Sequence, residues 1–237
     1  MFEAFYQSAW QHPVLLFAAC AVGALVVFQQ RARVHMTVRH YAIALVVLAA
    51  LDAWLTSNDI PLIGTLPTAS GHNPNVGAVL ATAIPVAFVI LGDLRYLLLA
   101  EVMTDSGELR FPAAAFARAM AWSLLVPVLA QLVVRFVLHS TEGRVLFLTY
   151  EALFFALILA RLPYTRARLG EGAALRWHRT LDALALGWYG TWILADVLIL
   201  GLDLDVGYLA RVVPNVLYYG ALPAVLVRAA PPRPVAP

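Results

Sequence analysis

Seven stretches of this chain approach or exceed the roughly 20 apolar residues that a helix needs to cross the hydrocarbon core of a bilayer. They run Pro13–Phe28, Tyr41–Ser57, Val76–Ala100, Pro112–Leu138, Val145–Leu162, Thr180–Leu202 and Val206–Val227. No apolar–polar alternation of the strand type competes with them. The expected fold is an all-α integral membrane protein, a bundle of seven transmembrane helices. It forms a single domain over residues 1–228, followed by a proline-rich, disordered cytoplasmic tail at 229–237. Charged residues make up 13% of the chain, against about 25% in soluble domains, so lipid is the expected solvent for most of the surface.

Arginine placement gives an orientation, because cytoplasmic loops are enriched in basic residues. Arg31, Arg33 and Arg39 fall in the first connection and Arg110 in the third. Arg161, Arg166, Arg168, Arg176 and Arg179 fall in the fifth, and Arg228 and Arg233 near the end. In a seven-span arrangement these lie on one side, which places the N-terminus outside and the C-terminus in the cytoplasm. The bias toward Ala, Leu, Val, Gly and Arg is what GC-rich coding produces, and it points to a bacterial cytoplasmic membrane. The longest outer connection, Asn58–Asn75, is rich in Pro, Gly and Asn and reads as a functional or flexible loop.

The chain contains no lysine. That excludes a Schiff base to retinal or pyridoxal phosphate, and a phosphate-loop lysine. The stretch LDAWLTSNDIPLI, Leu51–Ile63, resembles a helix of the microbial rhodopsins, but it falls on the second span and the retinal lysine is missing, so that family is not assigned. Cys20 is alone, and the six histidines show no HxxxH or HExxH spacing, so neither a disulfide nor a metal is expected. No cofactor and no nucleic-acid partner is expected.

Charges at membrane depth are the candidates for function. By helical rise they sort into two layers. Asp93, Arg95, Arg118 and Asp182 form an inner layer. Asp93 and Arg95 are two residues apart, about 200° around a helix, so each needs its own partner. Arg118 is the expected partner of Asp93, and Asp182 of Arg95. Asp52, Arg135, Glu151 and Asp196 form an outer layer with two excess negative charges, lined by Trp54 and Trp192. Near mid-membrane, Asn215, Tyr218 and Tyr219 form a polar stripe beside Pro214.

These features favour a small transporter or channel with an acidic outer cavity, carrying an ion, a proton or a small polar solute. The alternatives are a seven-helix receptor or accessory subunit that acts through a separate partner, and a membrane-embedded lipid-modifying enzyme, the least favoured. Anionic lipid headgroups are expected at Arg166, Arg168, Arg176 and Arg179. A homo-oligomer or a partner subunit is compatible with the same features.

Overall fold

A computed structural model describes residues 1–55 and 76–233. The Asn58–Asn75 loop and residues 234–237 lie outside the described residues. The described chain is helical, with one isolated antiparallel bridge between Met103 and Leu109. The helices are α1 (Phe2–Tyr6), α2 (Trp10–Gln30), α3 (Met36–Leu55), α4 (Val76–Val102), α5 (Ala113–Phe136), α6 (Gly143–Leu169), α7 (Ala173–Leu202) and α8 (Val206–Ala229). Six of them, α2, α3, α5, α6, α7 and α8, are long and apolar enough to cross a membrane. The chain is a membrane-spanning helical bundle.

Several helices outrun the apolar stretches that announce them. α6 continues from Leu162 through Pro163 to Leu169, and α7 starts at Ala173 rather than Thr180. The added turns carry arginines, which prolong a helix readily because straight side chains lose little freedom there. Hydropathy therefore locates the hydrocarbon part of a helix and not its end. Pro127 and Pro163 sit inside α5 and α6, while α8 is broken at Arg211 and widens into a π-helical turn over Leu217–Ala221.

Helices adjacent in sequence pack on one another, and α8 closes the bundle by packing on α2, α3 and α7. Apart from the segment between α3 and α4, the connections are short and make neighbours antiparallel, and the contacts of Leu109 with Thr37 and of Arg168 with Ala100 O set the end of α4 beside the start of α3 and the end of α6, so α2, α4, α6 and α8 all end on one face. That face holds the arginines for a local reason. A helix C-terminus leaves carbonyls unpaired and carries a partial negative charge. Arg31 donates to Phe28 O (2.7 Å), and Arg33 to Arg228 O (2.9 Å) and Ala230 O (3.3 Å). Arg168 donates to Ala100 O (2.9 Å) at the end of α4. The connections on this face also hold each other. Leu109 N donates to Thr37 Oγ1 (2.9 Å), His35 lies 3.1 Å from Glu108, and Arg233 N donates to Arg33 O (2.7 Å). Residues 230–233 are thus laid against the first connection.

On the opposite face α1 packs against the starts of α2 and α8. Asp205 accepts from the Met1 amino group (2.8 Å) and from the backbone N–H of Phe2 and Glu3 (each 2.9 Å). Tyr208 donates to Glu3 (3.0 Å) and Arg211 to Tyr6 (3.2 Å). These donors hold the Asp205 carboxyl down at about 2, the amino group being the largest cause and the two backbone N–H groups next. A depressed carboxyl stabilises the docked state fully above its ordinary value of 3.8 and loses that contribution as pH falls through about 2. The outward surface is apolar on α2, α3, α5 and α7, with Val22, Leu25, Val47, Val128, Leu132 and Leu194 exposed. The bundle is polar at selected points inside and apolar outside, as a lipid solvent requires.

Two predictions follow from these contacts. A Cβ on Gly220 would stand 2.5 Å from the backbone oxygen of Ala19, where α2 and α8 touch. Gly220→Ala should therefore destabilise the protein by about 1–3 kcal/mol, read as a lower unfolding temperature in detergent. An unchanged temperature would show that the helices are not this close. A carboxyl-carbon titration of Asp205 should have its midpoint near 2, and a midpoint at 3.8 would show α1 undocked.

Candidate functional site

The polar interior is organised on α7. Asp182, Tyr189 and Asp196 are spaced by seven residues, close to two helical turns, so they share one face of the helix and span about 21 Å. Asp182 and Asp196 are buried, as is Tyr189. Each meets a partner from another helix. The Tyr96 hydroxyl on α4 donates to Asp182 Oδ1 (2.5 Å), and His178 Nδ1 stands 3.0 Å from the same oxygen. The Tyr189 hydroxyl donates to Asp93 Oδ1 on α4. Between Tyr189 and Asp196, the Trp192 indole N–H donates to Asn215 Oδ1 on α8 (2.9 Å). α4 and α7 thus exchange carboxylate–tyrosine pairs in both directions.

Aromatic rings fill the space around this face. Phe154 stacks on Tyr189 with centroids 5.1 Å apart and planes 7° apart. Trp188 meets Tyr96 and Tyr218 edge-on, at 6.1 and 5.7 Å. Such contacts fix ring positions and so fix where each hydroxyl points.

At the arginine-rich end, Glu101 is a hub. Its carboxylate accepts from Arg118 Nε (2.9 Å), Arg161 Nη2 (3.1 Å) and the Tyr164 hydroxyl (2.9 and 3.0 Å), and Arg168 Nε lies 3.6 Å away. One carboxylate against three guanidinium groups leaves this cluster with two excess positive charges. Arg161 is buried and also lies over the Trp122 ring at 5.4 Å.

At the α1 end, Arg211 holds Asp196 with one terminal nitrogen and Glu151 with the other, the latter at 3.3 Å. Arg144 adds a second contact to Asp196 at 3.1 Å. Two acids and two arginines balance.

The expected residues are therefore only partly together. Asp93 and Arg95 do take separate partners, but not the expected ones. Asp93 binds Tyr189, and Arg95 lies over the Tyr218 ring at 4.3 Å, with its Nε donating to Gly92 O (3.2 Å). Arg118 reaches Glu101 rather than Asp93, because the connection from α4 to α5 is a tight hairpin that sets Glu101, two turns further along, at the depth of Arg118. Asp182 meets Tyr96 and not Arg95.

In the outer layer, Glu151 and Asp196 converge. Arg135 does not join them, being exposed at the end of α5 and lying 5.7 Å from the ring of Phe136. Arg211 and Arg144 supply the positive charge instead, so the cluster is balanced rather than acidic. Asp52 is buried on α3 toward α8, hydrogen-bonded by Tyr219 and within electrostatic reach of Arg95 and Tyr218. Trp54 is exposed. Asn215 and Tyr218 face α7 as a shared stripe would, and Tyr219 turns to Asp52 because the π-helical turn shifts the register. Of the expected headgroup arginines, Arg166 pairs with Glu171, Arg168 caps α4, and Arg176 and Arg179 are exposed.

Four buried carboxylates keep one oxygen that accepts no hydrogen bond from any described residue: Asp93 Oδ2, Glu151 Oε2, Asp182 Oδ2 and Asp196 Oδ2. Each could take a proton or face a small cation without breaking an existing bond. Among the described residues, no group of three or more His, Cys, Asp and Glu side chains is placed to hold a metal ion. The chain matches no protein-family model, no curated protein and no solved structure.

Glu101 has no exposed side-chain surface and its removal would leave Arg161 buried beside no carboxylate. Glu101→Gln should cost about 3–5 kcal/mol, measured by chemical unfolding. Arg118→Gln, at the half-exposed edge, should cost clearly less, since Arg161, Arg168 and Tyr164 remain on the glutamate. Equal losses would show that Glu101 is not the organising group.

Proposed function

We propose that this protein is a seven-span transporter for protons or a small cation, with the N-terminus outside and the C-terminus in the cytoplasm of a bacterial membrane. α4 is the seventh span in this reading. Its three charged residues Asp93, Arg95 and Glu101 are all turned into the bundle, which is what allows a helix carrying them to lie in lipid. The arginine-rich face is cytoplasmic.

One observation carries the transport reading: the α7 face on which Asp182, Tyr189 and Asp196 follow one another over about 21 Å, some two-thirds of a hydrocarbon core about 30 Å thick. Chains of acids, histidines and hydroxyls inside membranes serve as relays in pumps and transporters. A tyrosine hydroxyl both donates and accepts, so Tyr189 and Tyr96 can pass a proton between carboxylates without holding a charge. From the α1 end the stations are Glu151 and Asp196, then Tyr189 and Asp93, then Tyr96, Asp182 and His178, then Glu101. Arg211 and Arg161 stand at the two ends, and a proton arriving on the neighbouring carboxylate releases its arginine. The state described here has both ends paired and α1 docked over the outer cluster, which corresponds to an occluded resting form.

Proton uptake into proteoliposomes tests this. Asp93→Asn, Asp182→Asn and Asp196→Asn should each reduce flux at least about a hundredfold, the lower end of what a positioned proton-transfer group contributes, while each variant still elutes as folded protein. Wild-type flux in all three would remove the relay.

A further inference from the structure

The Glu101 cluster has chemistry that the relay does not use. It carries two excess positive charges, and its guanidinium groups differ in exposure. The side chains of Glu101 and Arg161 are 0% and 6% exposed, whereas those of Arg118 and Arg168 are 46% and 30% exposed. Glu101 Oε2 lies 2.9 Å from Arg118 and 3.6 Å from Arg168, so one buried carboxylate fixes both half-exposed groups side by side. The hydrogen bond from Arg118 to Glu101 uses Nε, with the Tyr164 hydroxyl also beside its guanidinium, and the hydrogen bonds from Arg168 leave Nη1 unused. Donors that are already held in place lose little freedom on binding an oxyanion.

What lies beneath decides the kind of anion. Leu125 and Leu129 are seven and eleven residues beyond Arg118 on α5, within about 20° of its direction, so they continue the same stripe toward mid-membrane. Both are exposed. A phosphate at the arginines with acyl chains along these leucines has the dimensions of one membrane lipid.

We propose that Arg118 and Arg168, held by Glu101, form a binding site for the phosphate of an anionic phospholipid in the leaflet at the arginine-rich end. The site is local, unlike a general attraction of the exposed loop arginines for a charged surface. Glu101 orients the donors, and the positive charge left over after Glu101 is neutralised attracts the single negative charge of a phosphodiester.

The test is native mass spectrometry of the full chain with equimolar phosphatidylglycerol and phosphatidylcholine. The wild type should retain phosphatidylglycerol preferentially, and Arg118→Gln should lower that preference about fivefold, the contribution of one basic residue at a membrane surface. Arg179→Gln, an exposed loop arginine outside the cluster, should leave the preference unchanged. Equal retention of the two lipids by the wild type, or equal effects of the two substitutions, would overturn the proposal. Displacement of the lipid by millimolar inorganic phosphate would overturn the lipid as ligand and make the site one for free phosphate. Arg118 lies at the edge of the cluster, so its substitution leaves the pairing of Arg161 with Glu101 intact, and a cooperative unfolding transition confirms a folded variant.

Discussion

An ionised side chain surrounded by hydrocarbon must be neutralised by something carried on another helix, because the helix it sits on has already used its own backbone groups. The buried acids of this bundle obey that constraint one by one. Asp93 and Asp182 are held by tyrosines across the interior, Glu101 by three arginines, and Glu151 and Asp196 by Arg211. Each such contact ties two helices at a set depth. The apolar contacts between helices resemble contacts with lipid and discriminate weakly between registers, so the ionic and hydroxyl contacts are what fix how α4, α6, α7 and α8 stand relative to one another. Removing one partner leaves a charge without its counterpart, which is why such pairs specify an arrangement more strongly than they stabilise it.

The same reasoning explains the asymmetry of the two faces. Four helices end on the arginine-rich face, and terminal carbonyls of three of them, α2, α8 and α4, are capped by Arg31, Arg33 and Arg168 in turn. The basic residues gathered on this face thus complete helices that end there. On the other face an acidic residue, Asp205, lies just before α8 and binds α1 through backbone N–H groups. Topology and capping therefore draw on one distribution of charge.

The membrane bundle was legible in the sequence because length and apolarity of a helix are local properties. The separation of Asp93 from Arg95 was legible for the same reason, since helical geometry alone turns them apart. The partners were not. Glu101 closes the run LGDLRYLLLAE, and a carboxylate at a helix C-terminus is disfavoured by the backbone dipole; that mismatch was the available signal that cations converge there. Arg211 was hidden because it sits near the start of α8, after the turn Val206–Ala210 and before Val-Val-Pro, and nothing local distinguishes it from an interfacial arginine. Arg135 looked equivalent by depth, yet it points outward, and direction around a helix depends on packing. The seven-residue spacing of Asp182, Tyr189 and Asp196 was present in the sequence, but it gains meaning only with Tyr96 and Asp93 opposite it.

The transport reading requires the α7 face to be a polar path and not a set of dry clamps. Water-edited solid-state NMR of the protein in liposomes, with labelled aspartate, measures it most directly by transferring magnetisation from mobile water to the side-chain carboxyl carbons. A path predicts rapid transfer to Asp93, Asp182 and Asp196 alike, with Asp93, the deepest, within a factor of about two of the others, because water beside one buried polar group finds further polar partners along the face. Rapid transfer at Asp182 and Asp196 with none at Asp93 would contradict it, and would make the two ends separate clamps divided by a dry aromatic core.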